Sequence, residues 1–305
     1  MALVALRQTV IFAILMGVGA LSRKFGLLND ERDRGLTALL LNIVSPCVII
    51  VNLGKNGLEE YRSGLLLAML LSVIIYAAYF VAVPLLVPKR DSYDYQVARF
   101  ACIYPNSGFM GIPLVMAILG SEGVIYVVAM VLIFNLLAFT QGVNSYQRDK
   151  GSFDLKLLLQ PAVVSCGIGM IFFFTPLSVP AFVMEPMQML ADMNSPLAML
   201  IVGSSLAQID FKNITHKGVI AMTSLYRLVL LPLVAVLICR LVPGDLTVKT
   251  ATIIIYACPA ANLALIFGIK YKRDTLLASE LVAVTTVLSI FTIPLIAGIG
   301  QMVIQ

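Results

Sequence analysis

Long apolar segments alternate with short polar connectors along the chain. Eight of these segments contain no Asp, Glu, Lys or Arg, and they are 8–22, 35–54, 63–88, 100–121, 123–147, 157–184, 250–269 and 281–305. Two further apolar segments, 186–209 and 218–241, are interrupted by Asp192 and Arg227. Because a helix needs about 20 apolar residues to cross the hydrocarbon core of a bilayer, the pattern predicts an all-α polytopic membrane protein with ten transmembrane helices. The first segment is expected to be a retained helix, since no small-residue cleavage site follows it.

Short motifs recur in the same order in the two halves of the chain. The recurrences are Ser45-Pro46 with Ser195-Pro196, Leu86-Val87-Pro88 with Leu241-Val242-Pro243, and Pro105 with Pro259. Their nearly constant offset predicts two five-helix repeats, residues 1–147 and 157–305, joined by a cytoplasmic connector at 148–156. Because five is an odd number, the second repeat is expected to lie inverted in the membrane, as in many secondary transporters.

Composition agrees with a chain that is surrounded by lipid. Hydrophobic residues make up 60% of the chain and charged residues 12%, with a mean hydropathy of +0.98, whereas a soluble domain carries about 25% charged residues. The net charge of +5 has no clustered basic face, so nucleic-acid binding is not expected. The five cysteines lie in apolar segments without a CxxC motif, and the single histidine, His216, lies in a polar connector. We therefore predict no metal site and no cofactor.

Basic residues are distributed unevenly between the two sides of the predicted membrane. Fifteen of the 21 Lys and Arg residues lie in the connectors that follow odd-numbered helices, and five lie on the opposite side. The positive-inside rule predicts that the connectors richer in basic residues are cytoplasmic. The chain is then expected to be a multi-pass protein of the plasma (bacterial inner) membrane with both termini outside.

Pro105 and Pro259 lie near the middle of the fourth and ninth predicted helices. Because proline removes a backbone donor and clashes with the preceding turn, each helix is expected to break there. Unpaired backbone at membrane depth is tolerated where it lines a cavity, and the restarted helices would present positive dipole ends that suit an anion. The alternative is that these prolines only kink the helices for packing. The substrate-binding residues predicted at the breaks are Pro105, Asn106, Ser107, Gly108, Pro259, Ala261 and Asn262.

Other polar residues inside the predicted helices are weaker candidates. Ser45 and Ser195 are added to the predicted substrate site because their Ser-Pro motif recurs, and Asn135 because it lies at mid-depth. Such residues also commonly hydrogen-bond between helices in membranes, so both interpretations stay open.

Three charged residues lie inside predicted spans, where charge is costly and suggests function. Arg227 is either a counter-charge for a substrate carboxylate or a structural partner for a carbonyl or an acid. Asp192 and Glu280 are candidates for proton or sodium coupling, and each is equally compatible with a position near an interface.

Sequence blocks in four predicted helices form a specific pattern. They are NSGFMGIP at 106–113, PLAMLIVGSSL at 196–206, CPAAN at 258–262 and SIFTIP at 289–294, with the connector 271–274 between the last two. In these blocks the chain resembles the auxin efflux carrier family, whose bacterial members are often described as malate or malonate permeases.

The resemblance implies a fold of two inverted five-helix repeats, similar to that of bile-acid sodium symporters. It also implies a scaffold domain, a transport domain with crossover helices 4 and 9, elevator-like motion between them, and a homodimer. The expected function is secondary transport of small organic anions such as malate, malonate or auxin-like acids across the lipid bilayer. The alternatives are a channel or receptor, or an intramembrane enzyme, for which a serine nucleophile would lack a nearby histidine base.

Overall fold

The protein is described here by a computed structural model that covers residues 2–54, 59–87, 93–144, 146, 159, 161–175, 177, 179–209, 214–271, 273 and 275–304. Within these ranges the chain is helical, and its one β-type pairing is a single antiparallel bridge between Pro105 and Ala260. The predicted connector 148–156 and Pro88 of the recurring Leu-Val-Pro motif lie outside the described residues.

The described residues form fourteen α-helices. They are α1 (Ala2–Lys24), α2 (Asp30–Leu39), α3 (Ser45–Leu53), α4 (Arg62–Leu86), α5 (Tyr93–Ile103), α6 (Ile112–Leu137), α7 (Pro161–Phe174), α8 (Ala181–Asp192), α9 (Asn194–Leu206), α10 (Lys217–Leu225), α11 (Leu231–Leu241), α12 (Leu246–Ala257), α13 (Leu263–Lys270) and α14 (Leu276–Ile304).

Seven continuous helical segments of the described chain are long and apolar enough to cross a membrane. They are Leu3–Lys24, Asp30–Leu53, Arg62–Leu86, Ser107–Gly142, Ala181–Leu206, Lys217–Leu241 and Leu276–Ile304. These segments indicate a polytopic membrane protein. The number is lower than the predicted ten because the fourth and ninth predicted helices are interrupted at their prolines, and because α7, in the sixth, is short. The second half of the fourth predicted helix also continues into the fifth, with non-helical backbone only at Gly120, whose φ is +69°.

Widened turns join several helices end to end. Single π-helical turns occupy Leu40–Val44, Ser107–Gly111 and Tyr226–Leu230, and each is followed by a proline at the second position of the next α-helix. Proline cannot donate to the carbonyl four residues before it and clashes with that turn, and a π-turn relieves the conflict without ending the helix.

The helices pack as two groups. The first helix group contains α1, α2, α3 and α7–α9, in which α1 packs against α9 and α3 packs against α7 and α8. The second helix group contains α4–α6 and α10–α14, with α12 against α4, α6, α11 and α14. The groups meet where α1 contacts α14 and α6, and where α6 contacts α3 and α7.

Two glycines bring α1 and α9 into backbone contact. A Cβ added to Gly203 would lie 1.9 Å from the Met16 carbonyl oxygen, and one added to Gly19 would lie 2.2 Å from the Leu200 carbonyl oxygen. Small residues permit this close approach, which is a common way for helices to associate in membranes.

Candidate functional site

The two interrupted helices meet at their breaks, 104–106 and 259–261, and we call this meeting point the crossing. The backbone N–H of Asn106 donates to the Pro259 carbonyl over 2.8 Å, and the N–H of Ala261 donates to the Tyr104 carbonyl over 3.0 Å. The two bonds are reciprocal, because each break donates one backbone N–H to a carbonyl of the other. Each break thus pairs backbone groups that the interruption of the other helix leaves without a helical partner. Pro105 and Pro259 therefore form the crossing itself.

Asn106 restarts the helix after the first break. Its side-chain Oδ1 accepts from the backbone N–H of Phe109 over 3.4 Å, as a capping residue does. Because Oδ1 is used in this way, the amide nitrogen Nδ2 is the atom left over. It is buried, with 4% of the residue exposed, and has no hydrogen-bond partner among the described residues.

A cavity lies against the crossing, with about 980 Å³ of empty space that includes the part open to solvent. Its walls come from α3, the π-turn before it and α7 in the first helix group, from the segments after both breaks, and from α6. Seven of the ten predicted substrate-binding residues line it, and they are Ser45, Asn106, Ser107, Gly108, Asn135, Ala261 and Asn262. A second, smaller cavity of about 540 Å³ shares Phe109, Asn262 and Ile266 with it and extends to Thr37 and Ser279.

Several polar atoms of these lining residues have no partner within the described part of the chain. They are Asn106 Nδ2, Ser107 Oγ, Asn135 Nδ2 and Asn262 Oδ1. Buried polar atoms are nearly always paired, so four orphaned atoms from residues around one cavity indicate a site that a ligand or water completes. The described residues that line this cavity carry no charged side chain.

The first restarted helix is open toward this space. A Cβ added to Gly108 would meet no atom within 4 Å. A ligand can therefore approach the start of this helix closely.

A comparison with known protein families shows the family of this chain. A family model described as membrane transport protein matches residues 4–154 and 150–297. The chain belongs to this family. The predicted family relationship is thereby confirmed.

Two relatives of this membrane transport protein match nearly from end to end. One is an uncharacterized transporter of Methanocaldococcus jannaschii, 25% identical over 298 residues that cover 93% of this chain and 95% of the relative. The other is an uncharacterized transporter of Methanothermobacter thermautotrophicus, 25% identical over 292 residues that cover 92% and 94%.

Other predicted site residues of the transporter lie away from the main cavity. Ser195 is half-buried near the start of α9 and is not among the lining residues, although its neighbour Asn194 lies 3.5 Å from Ser45 through Oδ1 and Oγ. Asp192 is exposed on α8, where its Oδ1 accepts from Gln188 over 2.7 Å.

Glu280 is buried at the start of α14, and its carboxylate is already partnered. It accepts from the backbone N–H and the hydroxyl of Thr215 at 3.1 Å each. His216 Nδ1 lies 3.4 Å from Glu280 Oε2, and His216 Nε2 lies 3.7 Å from Asp94 Oδ2. The fold therefore brings two carboxylates to His216 in its connector.

Arg227 is fully buried behind the crossing and does not line either cavity. Its guanidinium donates to backbone carbonyls and not to a carboxylate of the described residues. The carbonyl-bound alternative is thus the one that the structure contains.

Part of the cavity wall lies outside the predicted substrate-binding residues. Asn42 and an aromatic wall of Phe109, Phe134, Phe139 and Phe267 line the main cavity. Phenylalanine in an apolar segment gives no local signal, because it is the expected residue there. The buried Asp33, which binds Arg23 and Ser204, was likewise not singled out.

Proposed function

We propose that this protein is a secondary active transporter for small organic acids that carry one carboxylate on an apolar body. The observation that carries the proposal is the set of unpartnered amide and hydroxyl groups at the crossing. Asn106 and Asn135 each offer an amide donor, and the helix that starts after Asn106 directs its positive dipole end to the same space. Carboxylate oxygens accept such donors, and a bond to a charged group contributes about 1.5–3 kcal/mol.

The apolar walls of the cavity favour a ligand with one carboxylate over a ligand with two. Among the acids suggested by the family resemblance, malate and malonate carry a second carboxylate, whereas an auxin-like acid carries an apolar ring. A second charge would face phenylalanines, and no cation from the described lining residues would pair with it. Burying an unpaired charge is costly, so the cavity favours the acid with the apolar body.

The position of the cavity supports alternating access. It lies between the two helix groups, with Ser45 and Ile49 on one side and Asn106, Asn135 and Asn262 on the other. We infer that the second helix group carries the ligand in an elevator-like movement against the first. The reciprocal hydrogen bonds at the crossing support two inverted repeats. Coupling to a proton or sodium ion, assembly as a homodimer and location in the plasma membrane stay predictions.

Ligand binding and transport by the purified protein test this function. Phenylacetate is expected to raise the melting temperature and to exchange across proteoliposomes, and malonate is expected to do so much less. Asn106→Ala should weaken phenylacetate binding roughly tenfold to a hundredfold, because it removes a hydrogen bond to a charged group.

Asn52→Ala is the matched control for this experiment. Asn52 is also buried in a helix, but its amide donates to the Val48 carbonyl and it does not line the cavity. Equal affinity in wild type and Asn106→Ala would remove Asn106 from the site, and absence of phenylacetate binding in the wild type would contradict the proposed substrate.

A further inference from the structure

Arg227 is the largest fully buried side chain among the described residues, with 0% of its surface exposed. It lies in the π-turn that precedes Pro232, inside a segment long enough to span the membrane. A permanent charge at such a depth is expensive, and its retention requires a reason.

The guanidinium binds the ends of both interrupted helices. Nη1 donates to the Cys102 carbonyl over 2.8 Å, at the end of α5. Nε donates to the Cys258 carbonyl over 3.1 Å, and Nη2 donates to the Tyr256 carbonyl, both at the end of α12. The Tyr79 ring also lies 5.9 Å from the guanidinium carbon, within the range of a cation–π contact.

These contacts place a positive charge where two negative helix ends meet. The last carbonyls of a helix have no partner within the helix. Together they act as roughly half a negative elementary charge at that end. At the crossing, the negative ends of α5 and α12 lie close to the positive ends of the helices that restart. For an anion in the cavity, repulsion by the negative ends would therefore largely cancel attraction by the positive ends. The charge of Arg227 offsets the negative ends and leaves the positive ends to act.

We propose that Arg227 is a positioning residue that gives the cavity its preference for anions without touching the ligand. It holds the two crossing segments together through their carbonyls and offsets the negative ends of α5 and α12. This inference rests on the proposed function, because it concerns the same site.

A charged ligand and a neutral ligand of nearly the same shape test the inference. Phenylacetate and phenylacetamide have the same ring and spacer, and the wild type is expected to bind the acid at least tenfold more tightly. In Arg227→Gln this ratio should fall at least tenfold. A purely structural role would lower the affinity for both ligands by the same factor and leave the ratio unchanged.

Two further variants complete the experiment. Arg240→Gln removes a charge from the exposed end of the same span and should leave the ratio as in the wild type. Arg227→Lys keeps the charge but loses the planar fork of donors. It should therefore lower the affinity for both ligands and retain the preference for the acid. If Arg227→Gln does not fold, Arg227→Lys decides, because loss of the preference in a variant that keeps the charge would overturn the inference.

The outcomes separate this inference from the proposed function. A wild type that fails to bind phenylacetate contradicts the function itself. A wild type that prefers the acid, together with an Arg227→Gln variant that keeps the same preference, contradicts only the role of Arg227.

Discussion

At the scale of single residues, the site depends on side chains in which one polar atom is hydrogen-bonded to the fold and another has no partner among the described residues. Asn106 is the example, because its Oδ1 is fixed by the Phe109 N–H while Nδ2 finds no partner among the described residues. Capping thus orients a donor that the fold itself does not use. Sequence reasoning found this residue because a proline break and a following asparagine are adjacent in the chain.

Gly108 offers a test of the cavity by filling it. Gly108→Leu should abolish phenylacetate binding, because the new side chain would occupy the space where the ligand approaches the restarted helix. Folding should not suffer, since a Cβ there meets no atom and glycine is a poor helix former. Isothermal titration and thermal unfolding measure the two effects separately.

Gly167→Leu is the control for this prediction. Gly167 is exposed on α7 and also has open space around an added Cβ, so binding should be unchanged. A Gly108→Leu variant that binds phenylacetate as well as the wild type does would show that the ligand sits elsewhere.

At the scale of helices, the local sequence predicted where the helices are interrupted, but it did not predict which helices contact each other. Both breaks occur at their prolines, because the cost of proline in a helix is a property of the residue itself. The partners of a helix depend on segments far away in the chain. The aromatic wall converges from α6, α13 and the turns beside them, and Glu280 meets His216 from a different helix, so neither arrangement was visible in a single stretch of sequence.

The contact between α1 and α9 gives a prediction at this scale. Gly203→Ala should lower the melting temperature clearly, because the new Cβ would lie 1.9 Å from the Met16 carbonyl oxygen and the helices would have to separate. Overpacking of this kind costs typically about 1–3 kcal/mol. Gly17→Ala on α1 has open space and should leave the melting temperature unchanged or raise it. Equal melting of the two variants would show that α1 and α9 do not approach closely.

At the scale of the whole molecule, the predicted orientation determines which side of the cavity is cytoplasmic. Phe139, Pro161 and Phe267 line the cavity near the ends of their helices that are predicted to be cytoplasmic. With that orientation, these three lining residues lie on the cytoplasmic side of the cavity. The charge asymmetry that sets the orientation is readable from sequence, whereas the shape of the cavity depends on how the two helix groups meet.

Cysteine labelling in intact cells tests the predicted orientation. Glu122 and Lys217 are both exposed and lie on opposite sides of the predicted membrane. Glu122→Cys should react with a membrane-impermeant maleimide added outside, and Lys217→Cys should react only after the membrane is permeabilised. The five native cysteines are all buried, so the wild type should show little background labelling and serves as the control. The reverse pattern, with Lys217→Cys labelled in intact cells, would place both termini in the cytoplasm and those three lining residues on the exterior side of the cavity.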